Sequence, residues 1–166
     1  MTARTVRRVA TVTGVALVQL ALVALVVAPR LSARLGGDEY LLRVAAHDPV
    51  DPLRGAYVAL DYPDLRLPRG DAGTGRRRPD PGDVYVPLLR DGTVWRGGAW
   101  SRTRPRDAPY LACTSDGRRL SCGIDSWFTG QDEARVVGAR LARAGGTATV
   151  RVDGRGHAVL VALDAG

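Results

Sequence analysis

Residues 9–28 read VATVTGVALVQLALVALVVA, an uncharged stretch that separates a short N-terminus from the rest of the chain. An α-helix of about 20 apolar residues spans the roughly 30 Å hydrocarbon core of a bilayer and satisfies its own backbone hydrogen bonds there. Three arginines precede the stretch, whereas only Arg30 and Arg34 follow it closely. This bias predicts a cytoplasmic N-terminus at 1–8, a transmembrane signal anchor at 9–29 and an extracytoplasmic outer part.

A cleaved signal peptide is the alternative for the same segment. Secretory apolar regions are typically about 7–15 residues long and end at a small-x-small site, and this stretch is longer. Pro29 directly follows the small residues at its end, and a proline there would block cleavage. We therefore expect an uncleaved, single-pass protein of the cell membrane, with a short stem over 30–39 and the lipid bilayer as its first partner.

The outer part is basic, but it lacks the pattern of a nucleic-acid module. The chain has 166 residues and a formal net charge of +7, and all 24 basic residues are arginine. After the anchor, arginine and aspartate alternate along most of the sequence, as on a solvated surface. Nucleic-acid modules cluster basic side chains and interleave aromatic residues, so we expect no nucleic-acid partner. The absence of lysine also excludes Schiff-base chemistry and a P-loop.

Cys113 and Cys122 are the two cysteines of the chain, and an even count outside the cytoplasm permits a disulfide. The Asp116-Gly117 pair between them is a turn signal. A two-residue loop at 117–118 would place the two sulfurs across neighbouring strands. Two free thiols are the alternative. A zinc site is not expected, because CxxC pairs are missing, and we expect no metal or other cofactor.

Alternation of apolar residues predicts that the outer part is mainly β. The second predicted strand shows it clearly, because Val58, Leu60 and Tyr62 share one face. The fold class is a sandwich or open barrel of about eight strands with one packed helix, in one domain over 40–166. The predicted strands are 40–46, 56–62, 84–90, 93–102, 108–114, 119–128, 147–153 and 157–163.

One soluble helix is expected over 132–144. It has acidic residues in its first turn and arginines near its end, and Gly145 stops it. Val136, Val137 and Leu141 fall on one side, which we expect to face the sheet.

The stretch 49–62 reads PVDPLRGAYVALDY and resembles the signature of the GDYXXLXY family, membrane-anchored bacterial proteins named for that string. Ala56 replaces the aspartate of the signature, which argues against that carboxylate as a required catalyst in this chain. Similar blocks follow in order at 84–92, at 122–128 with Asp125 in the place of a glutamate, and in the final hairpin. The residues that match the letters of the signature are Gly55, Tyr57, Leu60 and Tyr62.

The resemblance implies a placement and no particular reaction. Members of the family look like single-pass proteins, often encoded beside polytopic membrane proteins. The first hypothesis is therefore a non-catalytic accessory or partner-binding subunit of a membrane complex, with a polytopic membrane protein as its partner. A turn with packed aromatic residues that only supports folding is the alternative for the signature. The candidate ligand-binding or partner-binding residues are Arg54, Gly55, Tyr57, Leu60, Tyr62 and Asp125.

Two further functions are compatible with the sequence. An envelope hydrolase acting on cell-wall or peptide substrates would need Arg54, Asp125 and His157 to converge in a cleft. Binding of an anionic envelope polymer would use the arginines at 76–78. His47 and the aspartates after it could form a metal or acid/base site, although turn-capping aspartates explain them more simply. No nucleophile-elbow sequence surrounds any serine, so no catalytic residue is assigned.

Overall fold

The computed structural model describes residues 3–47, 57–65 and 80–166 of the chain, with side chains from residue 12 onward. In this part of the chain it contains a long N-terminal helix, a second helix and nine strands, which confirms the predicted mainly β fold class. In chain order the elements are α1 (Ala3–Gly36), β1 (Asp38–Ala46), β2 (Tyr57–Asp61), a 3-10 turn (Pro63–Leu65), β3 (Gly82–Asp91), β4 (Val94–Gly97), β5 (Tyr110–Ser115), β6 (Leu120–Ser121), β7 (Ser126–Phe128), α2 (Gln131–Ala144), β8 (Gly146–Val152) and β9 (Ala158–Ala165).

The helix α1 is apolar and stands outside the core. Its segment Val12–Gly36 has a mean hydropathy of 2.3 in its most apolar window, and no part of that window is buried. The helix is long and apolar enough to cross a membrane, so it is compatible with a single anchor. The helix continues through Pro29 to Gly36, so most of the segment that was expected as a stem is part of α1.

The strands form one curled, half-barrel sheet around a single core. β1 pairs with β8 over seven residues, with β4 at Leu42, and with β2 at Ala45 and Ala46. β3, β5 and β6 continue the sheet beyond β4, β7 continues it beyond β2, and β9 beyond β8. Alternate residues of β1 and β2 point into the core, as the pleat of a strand requires.

Two predicted strands are broken in the structure. The segment 93–102 is paired only as β4 and as an isolated bridge between Tyr85 and Ser101. A side chain at Gly97 would meet the backbone of Asp64, so the strand ends at a close approach between two chain segments. The segment 119–128 is divided into β6 and β7 because Gly123, with φ of +77°, turns the chain out of the strand direction.

The helix α2 forms as predicted, and two of the three residues expected to face the sheet, Val137 and Leu141, do so. Leu141 is 1% exposed and Gly138 is also buried, with Ala134 and Val137 packed against the core. Val136, which was expected on this face, is 52% exposed. The i, i+3, i+4, i+7 spacing that begins at residue 134 contains the buried positions, and residue 136 lies off that stripe.

Candidate functional site

A cavity of about 740 Å³ lies where the β5–β6 hairpin faces the end of β2. Its buried lining is mostly apolar and includes Leu60, Tyr62, Leu65 and Ile124, with Ser115 as a buried polar residue. Its exposed lining is polar and includes His47, Arg118, Arg119 and Ser121. The polar lining carries both signs of charge, because Asp61, Asp116 and Asp125 belong to it as well. A cavity with an apolar floor and charged groups of both signs around it is suited to a ligand or partner segment that combines an apolar group with charged groups.

Three of the six predicted site residues line this cavity together, namely Leu60, Tyr62 and Asp125. Tyr57 is not among the lining residues. It lies on the opposite face of β2 and contacts Phe128, with ring centroids 6.0 Å apart. Arg54 and Gly55 lie outside the described residues, as do the arginines at 76–78.

Tyr62 is a buried structural donor. Its hydroxyl donates a hydrogen bond to the backbone carbonyl of Ile124 at 3.0 Å, and its side chain is 5% exposed. Burial, and then the Asp125 carboxylate, raise the pKa of the Tyr62 phenol, so the hydroxyl stays protonated. Tyr62 therefore ties β2 to the segment between β6 and β7.

Asp125 links the same two segments through its backbone and its side chain. Its carbonyl accepts a hydrogen bond from the amide of Leu60 at 2.9 Å. Its carboxylate accepts one from the Ser121 hydroxyl, also at 2.9 Å. A half-buried carboxylate held in this way keeps one fixed acceptor group at the wall of the cavity.

The predicted disulfide between Cys113 and Cys122 is confirmed, with the two Cα atoms 4.2 Å apart. The register of β5 and β6 is the one that the turn at 116–119 predicts. The Asp116 carboxylate accepts hydrogen bonds from the amides of Arg119 and Arg118, both at 2.6 Å. These two bonds lower the pKa of Asp116, the Arg119 amide contributing most. The fixed turn presents both arginine side chains at the cavity rim.

Arg118 and Arg119 are rim residues that the sequence did not suggest for any site, whereas His47 was considered only for a metal or acid/base site. The Asp-Gly signal identified the turn between β5 and β6. The position of this turn beside β2 depends on long-range strand pairing through β3, β4 and β1, which no local sequence pattern indicates. The Arg119 guanidinium donates a hydrogen bond to the Nε2 of His47, so β1 and the turn meet at this rim.

The described part of the proposed hydrolase constellation does not converge on the cavity. Asp125 lines it, but His157 does not. His157 lies in the turn before β9, with its Nδ1 3.0 Å from a carboxylate oxygen of Asp153. Among the described residues, no group of three or more histidine, cysteine or acidic residues could hold a metal ion.

Comparison with known families matches residues 19–163 to the GDYXXLXY protein family. The chain belongs to the GDYXXLXY family. The match includes the end of the apolar stretch, β1 to β8, most of β9 and the cavity, and it agrees with the resemblance noted at 49–62. No match was found among curated proteins or among solved structures. Because the function of the family is unknown, membership assigns no reaction.

In this GDYXXLXY protein Arg151 of β8 fixes the end of α1 to the sheet. The Arg151 guanidinium donates to the carbonyls of Arg34 and Gly37 at 2.6 and 3.1 Å. These carbonyls belong to the end of α1, where backbone acceptors lack partners within the helix and the dipole favours a positive charge. Ala33 is 0% exposed, so the last turn of the helix is packed against the domain.

Asp153 forms a second link between α1 and the β8–β9 turn. Its side chain is 6% exposed and accepts hydrogen bonds from the amides of Arg155 and His157, at 2.8 and 3.0 Å. Burial raises the pKa of Asp153, but the hydrogen bonds from His157, from Ser32 of α1 and from the two amides outweigh it. The net effect is a lowered pKa, so this carboxylate is ionised and holds the turn against the helix.

Proposed function

We propose that this protein is a single-pass, membrane-anchored accessory subunit whose extracytoplasmic domain binds a polytopic membrane protein and carries out no chemistry of its own. The observation that carries the proposal is the exposure of α1. The leucines of this apolar helix are not covered by the domain, and Leu25, for example, is 73% exposed. Such a surface needs a lipid or protein environment. The domain below it has a complete core of its own and does not use this helix to build it, apart from its last turn.

The disulfide supports an extracytoplasmic position for the domain. Disulfides persist in oxidising compartments and are rare where thiols are kept reduced. Both cysteines of the chain are consumed by this bond, so one introduced cysteine gives a unique thiol for topology mapping. Gly154 and Gly130 suit this purpose because a side chain at either position meets no atom within 4 Å. Labelling by a membrane-impermeant maleimide in intact cells is expected at both positions, and protection of both would contradict the orientation.

The cavity is the surface that we assign to the partner. Its rim carries Arg118 and Arg119 together with Asp116, next to the buried apolar floor, which favours a partner segment with an apolar side chain and charged side chains that pair with this rim. An interface of this kind obtains its affinity from a buried apolar anchor and its orientation from the charges around it.

The partner assignment is tested with the full-length protein in native membranes. A photo-crosslinking amino acid at Ser121, on the cavity wall, is expected to capture one polytopic membrane protein. The double substitution Arg118→Glu/Arg119→Glu is expected to reduce that product strongly. The matched control changes two exposed arginines of α2, Arg140→Glu/Arg143→Glu, and should leave it unchanged. A product without a polytopic protein, or one reduced equally by both double substitutions, would contradict the assignment.

A further inference from the structure

The end of α1 meets the β8–β9 turn at the depth of the lipid headgroups. The uncharged stretch 9–28 occupies about 30 Å, and Ser32 lies four residues, or about 6 Å, beyond it. The headgroup layer is about 5–8 Å thick on each side of the hydrocarbon core. Because Ser32 donates a hydrogen bond to Asp153, the β8–β9 turn lies at the same depth as Ser32.

The connection between helix and domain is rigid, so this depth is maintained. Arg151 bonds to two carbonyls at the end of the helix, and Gly37 lies against the backbone of Val152 so closely that a Cβ would be 2.8 Å from its carbonyl carbon. No flexible stem separates the domain from the bilayer, since β1 begins at Asp38. The surface around this connection must therefore face the headgroups of the leaflet from which α1 emerges.

That surface has the composition of a membrane-interface element. Leu31 and Leu35 are 49% and 73% exposed, and their i, i+4 spacing puts them on the same side of the helix. The exposed side chains of Arg30, Arg34 and Arg155 have no partner among the described residues. Arginine stems lie along apolar surface while their heads reach the phosphates.

The carboxylates at the same place compensate these arginines only in part. Asp153 is occupied by its internal hydrogen bonds, and Glu39 lies 3.8 Å from Arg151. Asp38 is exposed beside them. Counted in full, four arginines (Arg151 and the three exposed ones) against Asp38, Glu39 and the ionised Asp153 leave a net charge of +1 at headgroup depth.

We propose that Arg30, Leu31, Arg34, Leu35 and Arg155 form a membrane foot that binds the phosphate groups of anionic phospholipids. The two leucines lie at the boundary of the acyl chains, and the three guanidinium groups bind headgroup phosphates around them. The proposal rests on the proposed function only through the anchor, and it does not depend on the partner or on the cavity.

The first test measures the depth of the β8–β9 turn. Full-length protein carrying Gly154→Cys is labelled with a fluorophore and inserted into vesicles that contain a headgroup spin-labelled lipid. Strong quenching is expected at this position. The same label at Gly130→Cys is the control, because that residue follows β7, which reaches β1 only through β2 and at the far end of β1. Equal, weak quenching at the two positions would overturn the proposal.

The second test measures lipid selectivity by the fraction of motionally restricted spin-labelled phosphatidylglycerol relative to phosphatidylcholine. The wild type is expected to prefer the anionic lipid by about fivefold, the effect of one net positive charge at the surface, and the preference should weaken at high salt. Arg34→Gln/Arg155→Gln should remove most of it. Arg140→Gln/Arg143→Gln, with the same loss of charge on α2, should retain it.

The outcomes separate the foot from the anchor. Protein that inserts into both kinds of vesicle without preferring phosphatidylglycerol would overturn the foot and leave the anchor intact. Protein that is extracted from vesicles by alkaline carbonate would refute the anchor and the foot together. Quenching that occurs in native membranes but not in vesicles that contain no other protein would assign the surface to a protein partner instead. That result would overturn the lipid proposal.

Discussion

Replacing Gly156 by alanine should destabilise the domain at the contact that draws its sheet into a half-barrel. The carbonyl of Gly156 accepts a hydrogen bond from the Ala112 amide at 2.8 Å, which joins the β8–β9 turn to β5. Gly156 has φ of +82°, and a Cβ there would lie 2.5 Å from the Tyr110 ring and 2.8 Å from the Ala112 nitrogen. Both the backbone conformation and the space at this position therefore require glycine.

The magnitude follows from these two costs. A non-glycine residue in the left-handed region costs about 1–2 kcal/mol. Forcing a methyl group against a ring and a backbone nitrogen adds about 1–3 kcal/mol, because the β5 backbone cannot retreat without losing its pairing with β3. Gly156→Ala should thus lower the free energy of unfolding by about 2–5 kcal/mol, a large share of the total stability of an ordinary domain.

Urea unfolding of the full-length protein in detergent micelles, followed by tryptophan fluorescence, measures this loss. The matched control is Gly154→Ala, two residues earlier in the same turn. A Cβ at Gly154 meets no atom within 4 Å, and its φ is not in the left-handed region. We expect this control to stay within about 0.5 kcal/mol of the wild type, or to gain slightly from reduced chain entropy. If the two substitutions have the same effect, the close contact between the turn and β5 is not formed.

Three further predictions concern separate parts of the fold. Tyr62→Phe leaves the buried carbonyl of Ile124 without its donor and should lower the free energy of unfolding by about 1–3 kcal/mol, measured by the same urea titration. Reduction of the Cys113–Cys122 bond should cost about 2–3 kcal/mol, because the bond closes a short loop in the unfolded chain, and a dithiothreitol-treated sample against an untreated one measures it. The lowered pKa of Asp153 contributes stability that is complete above its unfolded pKa of about 3.9 and is lost as pH falls through the lower folded pKa. An acid titration of thermal stability should therefore be less steep in this range for Asp153→Asn, and parallel curves for the two proteins would contradict the assignment.

The parts of the fold that depend on neighbours in sequence could be predicted. The alternation of Val58, Leu60 and Tyr62 is a period of two, and the structure buries these three and leaves Tyr57 and Asp61 partly exposed. The cysteine pairing also followed from a local signal, since one Asp-Gly turn sets the register of both strands. In each case the information lies within about ten residues of chain.

The breaks in the sheet and the composition of the cavity could not be predicted in this way. Gly97 ends β4 because a segment 33 residues earlier in the chain approaches its backbone, at Asp64. The cavity brings Tyr62 beside Asp125, with 62 residues separating Tyr62 from its hydrogen-bond partner Ile124. Among the signature residues, only the separation of Tyr57 from Tyr62 follows from the sequence, because their odd spacing puts them on opposite faces of a strand.

The continuation of α1 into the domain is the feature with the largest functional consequence. Polar residues after the apolar stretch suggested a stem, because the group that stabilises the end of the helix, Arg151, lies 117 residues from Arg34. If the foot lies in the headgroup layer as proposed, β1 leaves that layer at Asp38 and ends at Ala46, next to His47 of the cavity rim. Nine residues of strand extend about 30 Å. In the proposed arrangement this connection sets the spacing between the membrane foot and the cavity, and a membrane partner that binds the cavity would have to present its contacting groups on an extramembrane loop or domain.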